Sequence, residues 1–101
     1  LVQDPITPDF NIGTDSYHTP KYIIDESINY FETKGYTLGI DTPYSGSIVP
    51  MEYYQKDPRV TSIMLEVNRG LYLKENSNEK SENYNKTKEI VQEYMNLLKK
   101  L

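Results

Sequence analysis

The residues best suited to chemistry lie in Ser62-Ile63-Met64-Leu65-Glu66-Val67-Asn68-Arg69, where an apolar, strand-like run ends in a carboxylate followed three residues on by a guanidinium. Apolar strands of an α/β sheet bury both faces, so a charge is tolerated chiefly at the carboxyl end, where the ligand crevice of such sheets opens. An acid and a base at a strand's end are candidates for acid–base work, which makes Glu66 and Arg69 the first residues to consider. The same two residues would also serve as a structural ion pair closing the strand. Two further polar clusters follow strand-like segments: Gly13-Thr14-Asp15 with His18, and Thr42-Pro43-Tyr44-Ser45-Gly46-Ser47. Each alone is an ordinary turn sequence. Expected together on one edge of a sheet, the three clusters point to a site.

Several chemistries are excluded by what the chain lacks. His18 is the only histidine, so it cannot complete a catalytic zinc site, which takes three protein ligands and a water. Beside the Thr19 helix start, His18 could equally be a polar residue of the cap. Gly13 and Gly46 do not have the spacing of a phosphate-cradling loop, and no Ser-His-Asp order with a nucleophile elbow is present. Zero cysteines remove disulfides, thiolate metal sites and a cysteine nucleophile, and fit a cytoplasmic protein. A formal charge of -4, with 15 acidic against 11 basic residues, argues against a nucleic-acid partner, whose binding needs clustered Lys and Arg. No apolar stretch approaches the roughly 20 residues of a membrane span. Asn85-Lys86-Thr87 matches a glycosylation sequon but falls in a predicted helix.

The elements that must position these residues are legible in the periodicities. Residues 1–8, with Pro5 and Pro8, read as an extended entry, and 10–13 as a short strand. Thr19-Pro20 starts a helix over 20–34, with Ile23, Ile24, Ser27, Ile28 and Phe31 on one face and Gly35 as its stop. Residues 36–41 alternate as a second strand, which makes a βαβ unit with parallel strands and brings loops 14–18 and 42–47 to the same edge. Residues 50–58 form a short helical or irregular link, and 61–67 form a third strand whose direction the sequence leaves open. A polar loop, 74–80, precedes a final helix opened by Ser81, with Tyr84, Thr87, Val91, Tyr94, Leu98 and Leu101 along one stripe. Ten tyrosines against two phenylalanines mean that much buried aromatic surface carries a hydroxyl in need of a partner. The fold class is thus α/β, one domain over 1–101 with three main strands and two principal helices. Leu1 is not a natural start residue, so the chain reads as a portion of a longer protein.

Gly13-Thr14-Asp15 with His18-Thr19-Pro20, Gly35-Tyr36, Pro43-Tyr44-Ser45-Gly46 and Glu66-Val67-Asn68-Arg69 with Leu71-Tyr72 resemble, in order and spacing, the C-terminal half of the N-formylglutamate amidohydrolase family. The Glu-x-Asn-Arg-x-x-Tyr block is the most specific part of that resemblance, which spans about residues 10–73. It implies a mixed sheet like that of the zinc carboxypeptidases and hydrolysis of a small amide substrate bearing a carboxylate, N-formyl-L-glutamate or a related N-acyl amino acid. It also implies that Glu66 is the general base toward zinc-bound water. Arg69 would bind a substrate carboxylate or hold Glu66, and Tyr44, Thr14, Asp15 and His18 would line the pocket. The family often has Asn where this chain has Asp41, and a second glycine where it has Ser47. The zinc ligands of such enzymes come from the N-terminal half. This chain alone is therefore expected to bind no metal, to be inactive, and to have that half of the same polypeptide as its partner. The alternative is a small non-catalytic α/β module that binds a ligand or partner at its polar edge.

Overall fold

A computed structural model describes residues 7–42, 45–74 and 77–101. Strand β1, Phe10–Gly13, leads through helix α1, Lys21–Thr33, to strand β2, Leu38–Ile40. Strand β3, Met64–Val67, runs into a single 3-10 turn over Arg69–Leu71, and helix α2, Tyr84–Lys100, closes the chain. The sheet order is β2-β1-β3, with β1–β2 parallel and β1–β3 antiparallel. The parallel βαβ unit expected from the periodicity is present, and the third strand makes the sheet mixed.

The register separates two faces. Phe10 lies between Leu38 and Val67, one residue from Asn11, which lies between Gly39 and Glu66. Because side chains alternate along a strand, these two rows face opposite ways. The Phe10 row meets both helices in a cluster of Phe10, Phe31, Ile90 and Tyr94, against which Leu38, Leu65, Val67, Val91 and Leu98 pack. Rings of Phe10 and Phe31 sit 4.5 Å apart and those of Phe31 and Tyr94 4.8 Å. Tyr94, 1% exposed, illustrates the expected need of buried tyrosines for a partner. Ser27 Oγ donates to Ile23 O at 2.7 Å, so the Tyr94 hydroxyl, 2.7 Å away, donates to Ser27 Oγ.

Helix ends differ in detail from their sequence signals. Gly35 does stop α1: at φ +84 it lets its own N–H reach Glu32 O at 3.0 Å and the Tyr36 N–H reach Phe31 O at 3.0 Å, a Schellman closure. Tyr36 is consumed by that closure, which is one reason β2 spans 38–40 rather than the expected 36–41. Pro20, not Thr19, is the N-cap of α1, and no side chain caps it. Thr19 instead donates its hydroxyl to Ser62 O at 2.6 Å and accepts from the Asp15 N–H at 2.9 Å. Helix α2 starts at Tyr84 rather than Ser81, and its buried residues are Thr87, Ile90 and Tyr94. Ile90, outside the expected stripe, enters the core, whereas Leu101 remains 45% exposed.

Candidate active site

Glu66 stands midway along β3, an outer strand, on the sheet face turned away from α1 and α2. Antiparallel pairing sets it opposite Asn11, midway along the strand rather than at the end of the sheet where β1 and β2 exit. That corrects one expectation. The exits of β1 and β2 do share an edge, but β3 leaves at the other, carrying Asn68 and Arg69 away from Thr14. Glu66 is half-buried, and its Oε1 accepts a hydrogen bond from Asn11 Nδ2 at 3.1 Å. Among the described residues Oε2 has no hydrogen-bond partner.

Arg69 does not hold Glu66. It is exposed, it opens the 3-10 turn, and its Nη2 donates to Ser77 O at 2.7 Å and Asn78 Oδ1 at 2.9 Å. Neither does it form an ion pair with Glu66, so the strand-closing pair that its spacing suggested is absent as well. The 77–78 turn that receives it belongs to a small hairpin in which Leu73 bridges Lys80. The guanidinium anchors a surface turn.

The loop after β1 divides into one part that faces the site and one that is structural. Thr14 donates its backbone N–H and its hydroxyl to the two carboxylate oxygens of Asp41, each at 2.7 Å. Asp41 adopts a left-handed backbone, φ 55, a region that Asp and Asn tolerate better than most residues. This clamp ties the exits of β1 and β2 together. Asp15, by contrast, spends Oδ1 on the N–H groups of Tyr17 at 2.8 Å and His18 at 3.0 Å. His18 is fully buried. Its Nδ1 lies 2.7 Å from Val60 O and its Nε2 accepts from the Gln55 N–H at 2.9 Å. Those partners set a neutral ring with the proton on Nδ1, because a carbonyl can only accept and an amide N–H only donate. Both ring nitrogens are used, and no imidazole atom remains for a substrate or a metal. The Ser62 N–H donates to His18 O at 2.9 Å, so the link between β2 and β3 is stitched to loop 14–19 at several points. Nearby, the side-chain hydrogen bonds from Arg59, at 3.0 and 2.9 Å, hold the Asp57 carboxyl down at about 2.

Tyr44 and Pro43 lie outside the described residues. The chain after them folds back over the sheet: the Gly46 N–H donates to Thr14 O at 3.1 Å, and a Cβ at Gly13 would stand 2.3 Å from Gly46 O. Gly13 is needed for that approach. Ser47 Oγ is buried in this segment without a hydrogen-bond partner among the described residues.

Among the described residues no group of three or more His, Asp or Glu side chains could hold a metal ion. With His18 committed to the backbone, these residues do not by themselves fit a zinc ion. Two residues of the site were not singled out by sequence reasoning. Asn11 sits inside a predicted strand, where a polar side chain reads as a solvent-facing position. Asp41 was marked only as a departure from the usual Asn.

No curated protein matches the chain. The crystal structure of an N-formylglutamate amidohydrolase from Ralstonia eutropha superposes with a TM-score of 0.74 at 23% identity, covering 92% of this chain and 34% of that one. At that identity the likeness speaks for the fold, and the chain spans about a third of the length of that relative. The sequence profile of the N-formylglutamate amidohydrolase family matches residues 2–73, which include β1, α1, β2, β3 and Glu66. The chain therefore belongs to the N-formylglutamate amidohydrolase family.

Proposed function

We propose that these residues form the C-terminal part of a zinc-dependent amidohydrolase with a zinc-carboxypeptidase-like fold, and that Glu66 is its general base. The substrate would be N-formyl-L-glutamate, cleaved to formate and glutamate, or a related N-acyl amino acid. The observation that carries this reading is the state of Glu66: half-buried on the helix-free face, one oxygen anchored by Asn11 and the other without a partner among the described residues. Such a carboxylate is held in place yet keeps an oxygen with which to take a proton from the attacking water and pass it to the departing amine. Family membership and the α/β fold support the hydrolase class. Because the described residues offer no metal cluster, zinc ligands would be supplied by the N-terminal half of the same polypeptide.

Thr14 and Tyr44 are assigned to substrate orientation on their motifs; Thr14, whose N–H and hydroxyl both donate to Asp41, would act through the lone pairs of its hydroxyl oxygen. The Tyr44 assignment rests on its motif alone. His18 is left to the scaffold because both ring nitrogens are engaged, and Asp15 and Arg69 because Oδ1 of the one and Nη2 of the other hold local turns. No described helix is long and apolar enough to cross a membrane, and the absence of cysteine fits a cytoplasmic location.

Zinc content and hydrolysis of N-formylglutamate, measured for residues 1–101 beside the full-length protein, test the reading. Zinc and turnover confined to the full-length protein are expected. Absence of both from both proteins would move the reading to a non-catalytic binding module.

A further inference from the structure

Asn11 is 4% exposed, and its side chain lies between the turn after β2 and the carboxylate of Glu66. Resting on the reading of Glu66 as the base, we propose that Asn11 is a positioning residue for that carboxylate, and that the Asp41-Thr42 turn sets Asn11 in turn. Its amide orientation follows from its neighbours. The Thr42 backbone N–H, 3.1 Å away, can only donate, so Oδ1 must face it. Nδ2 then faces Glu66 Oε1 at 3.1 Å as a donor. A flipped amide would set donor against donor at Thr42 and oxygen against oxygen at Glu66.

The turn that presents the Thr42 N–H is itself held. Asp41 keeps its left-handed φ of 55 while Thr14 donates to both of its carboxylate oxygens at 2.7 Å. Beneath the amide, residue 39 is glycine, and a Cβ there would come within 2.9 Å of Asn11 Oδ1. Thr14, Asp41, Thr42 and Asn11 thus form a hydrogen-bonded series that ends on the candidate base. A glutamate has three side-chain torsions, and fixing one of its oxygens removes much of the freedom that would take the other out of reacting geometry. Positioning here means that Asn11 acts through Glu66 and touches no reacting atom.

The test is a double-mutant cycle in the full-length protein, with kcat and KM measured per folded molecule for N11A, E66Q and N11A/E66Q. Asn11→Ala is expected to lower kcat by about tenfold with KM within about threefold, and to cost less than about twofold more once Glu66 is already Gln. Asn11→Asp keeps an acceptor for the Thr42 N–H but sets a second carboxylate oxygen against Oε1. A loss at least as large as that of N11A is expected, with the acid limb of the pH–rate profile moved to higher pH. A purely structural Asn11 would show neither effect. Full multiplication of the N11A loss on the E66Q background, or wild-type kcat and pH profile in N11D, overturns the proposal while leaving Glu66 as base. Turnover retained in E66Q removes the general-base reading, and this inference with it.

Discussion

Two polar regions of this chain look alike as sequence and differ as structure. Around His18 the polar groups are tied to backbone: Asp15 Oδ1 takes two N–H groups, the imidazole spans Gln55 and Val60, and Thr19 reaches Ser62. Around Glu66, Asn11 anchors one oxygen and the other has no partner among the described residues. The first arrangement fastens an irregular segment to a helix entry. The second leaves a carboxylate available for proton transfer. Richness in polar residues at a strand end does not separate the two cases, whereas the partners of each polar atom do.

The contrast predicts opposite phenotypes, and the largest should come from Glu66. In the full-length protein, Glu66→Gln keeps an acceptor for Asn11 but cannot take a proton, so kcat should fall by ~10²-fold or more with thermal midpoint and metal content unchanged. Turnover within a few fold of wild type would take Glu66 out of the mechanism. His18→Ala should do the reverse. It leaves the Gln55 N–H and the Val60 carbonyl without their partner and opens a cavity where a fully buried ring stood, a loss of about 2–4 kcal/mol in urea unfolding, with kcat of the molecules that remain folded unchanged. A selective loss of kcat in a stably folded His18→Ala protein would put the imidazole back in the site.

Gly13→Ala probes the segment between the two regions. Its new Cβ would meet the Gly46 carbonyl at 2.3 Å, so the 45–47 segment must shift, with an expected cost of ~1–3 kcal/mol in thermal or urea unfolding. An unchanged midpoint would mean that the segment does not lie on β1. Arg69→Ala should be milder. Its bonds lie on an exposed turn, so stability should fall by under about 1 kcal/mol, and kcat and KM should stay within about threefold of wild type. A tenfold rise in KM would return Arg69 to a substrate carboxylate.

The smallest effect lies away from both regions. Burial, with the Glu93 carboxylate adding to it, pushes the Tyr30 phenol up to about 12 from an ordinary value of 10.0. A group raised in the folded state contributes its stability in full below the unfolded value and loses it as pH rises through the folded one. The α1–α2 contact, where the Tyr30 hydroxyl donates to Ile90 O at 2.7 Å, should therefore weaken between about pH 10 and 12. The gap in thermal midpoint between wild type and Tyr30→Phe should narrow over that range, and a constant gap would count against it.

Legibility followed the range of the interactions. Helix α1 was readable because Ile23, Ser27 and Phe31 recur at helical spacing and because Gly35 has a local reason to stand where it does. Thr19 misled as a cap because its hydroxyl is claimed by Ser62, 43 residues away, which no local signal announces. Glu66 was found through a motif of closely spaced residues, but its partner Asn11 lies 55 residues earlier in an ordinary-looking strand. Arg69 was read as a companion of Glu66 from a three-residue spacing that the 3-10 turn carries off toward Ser77.

By itself, then, the sequence determined the local elements, the parallel βαβ unit and, through its motif blocks, the family. Alternation, helical period and turn chemistry act over a few residues and can be read without knowing what lies across the sheet. Only the tertiary structure decided which polar groups are spent and which remain. The direction of β3 does not follow from its own residues, since a four-residue strand pairs either way, and that direction sets Glu66 beside Asn11 and sends Arg69 to the far edge.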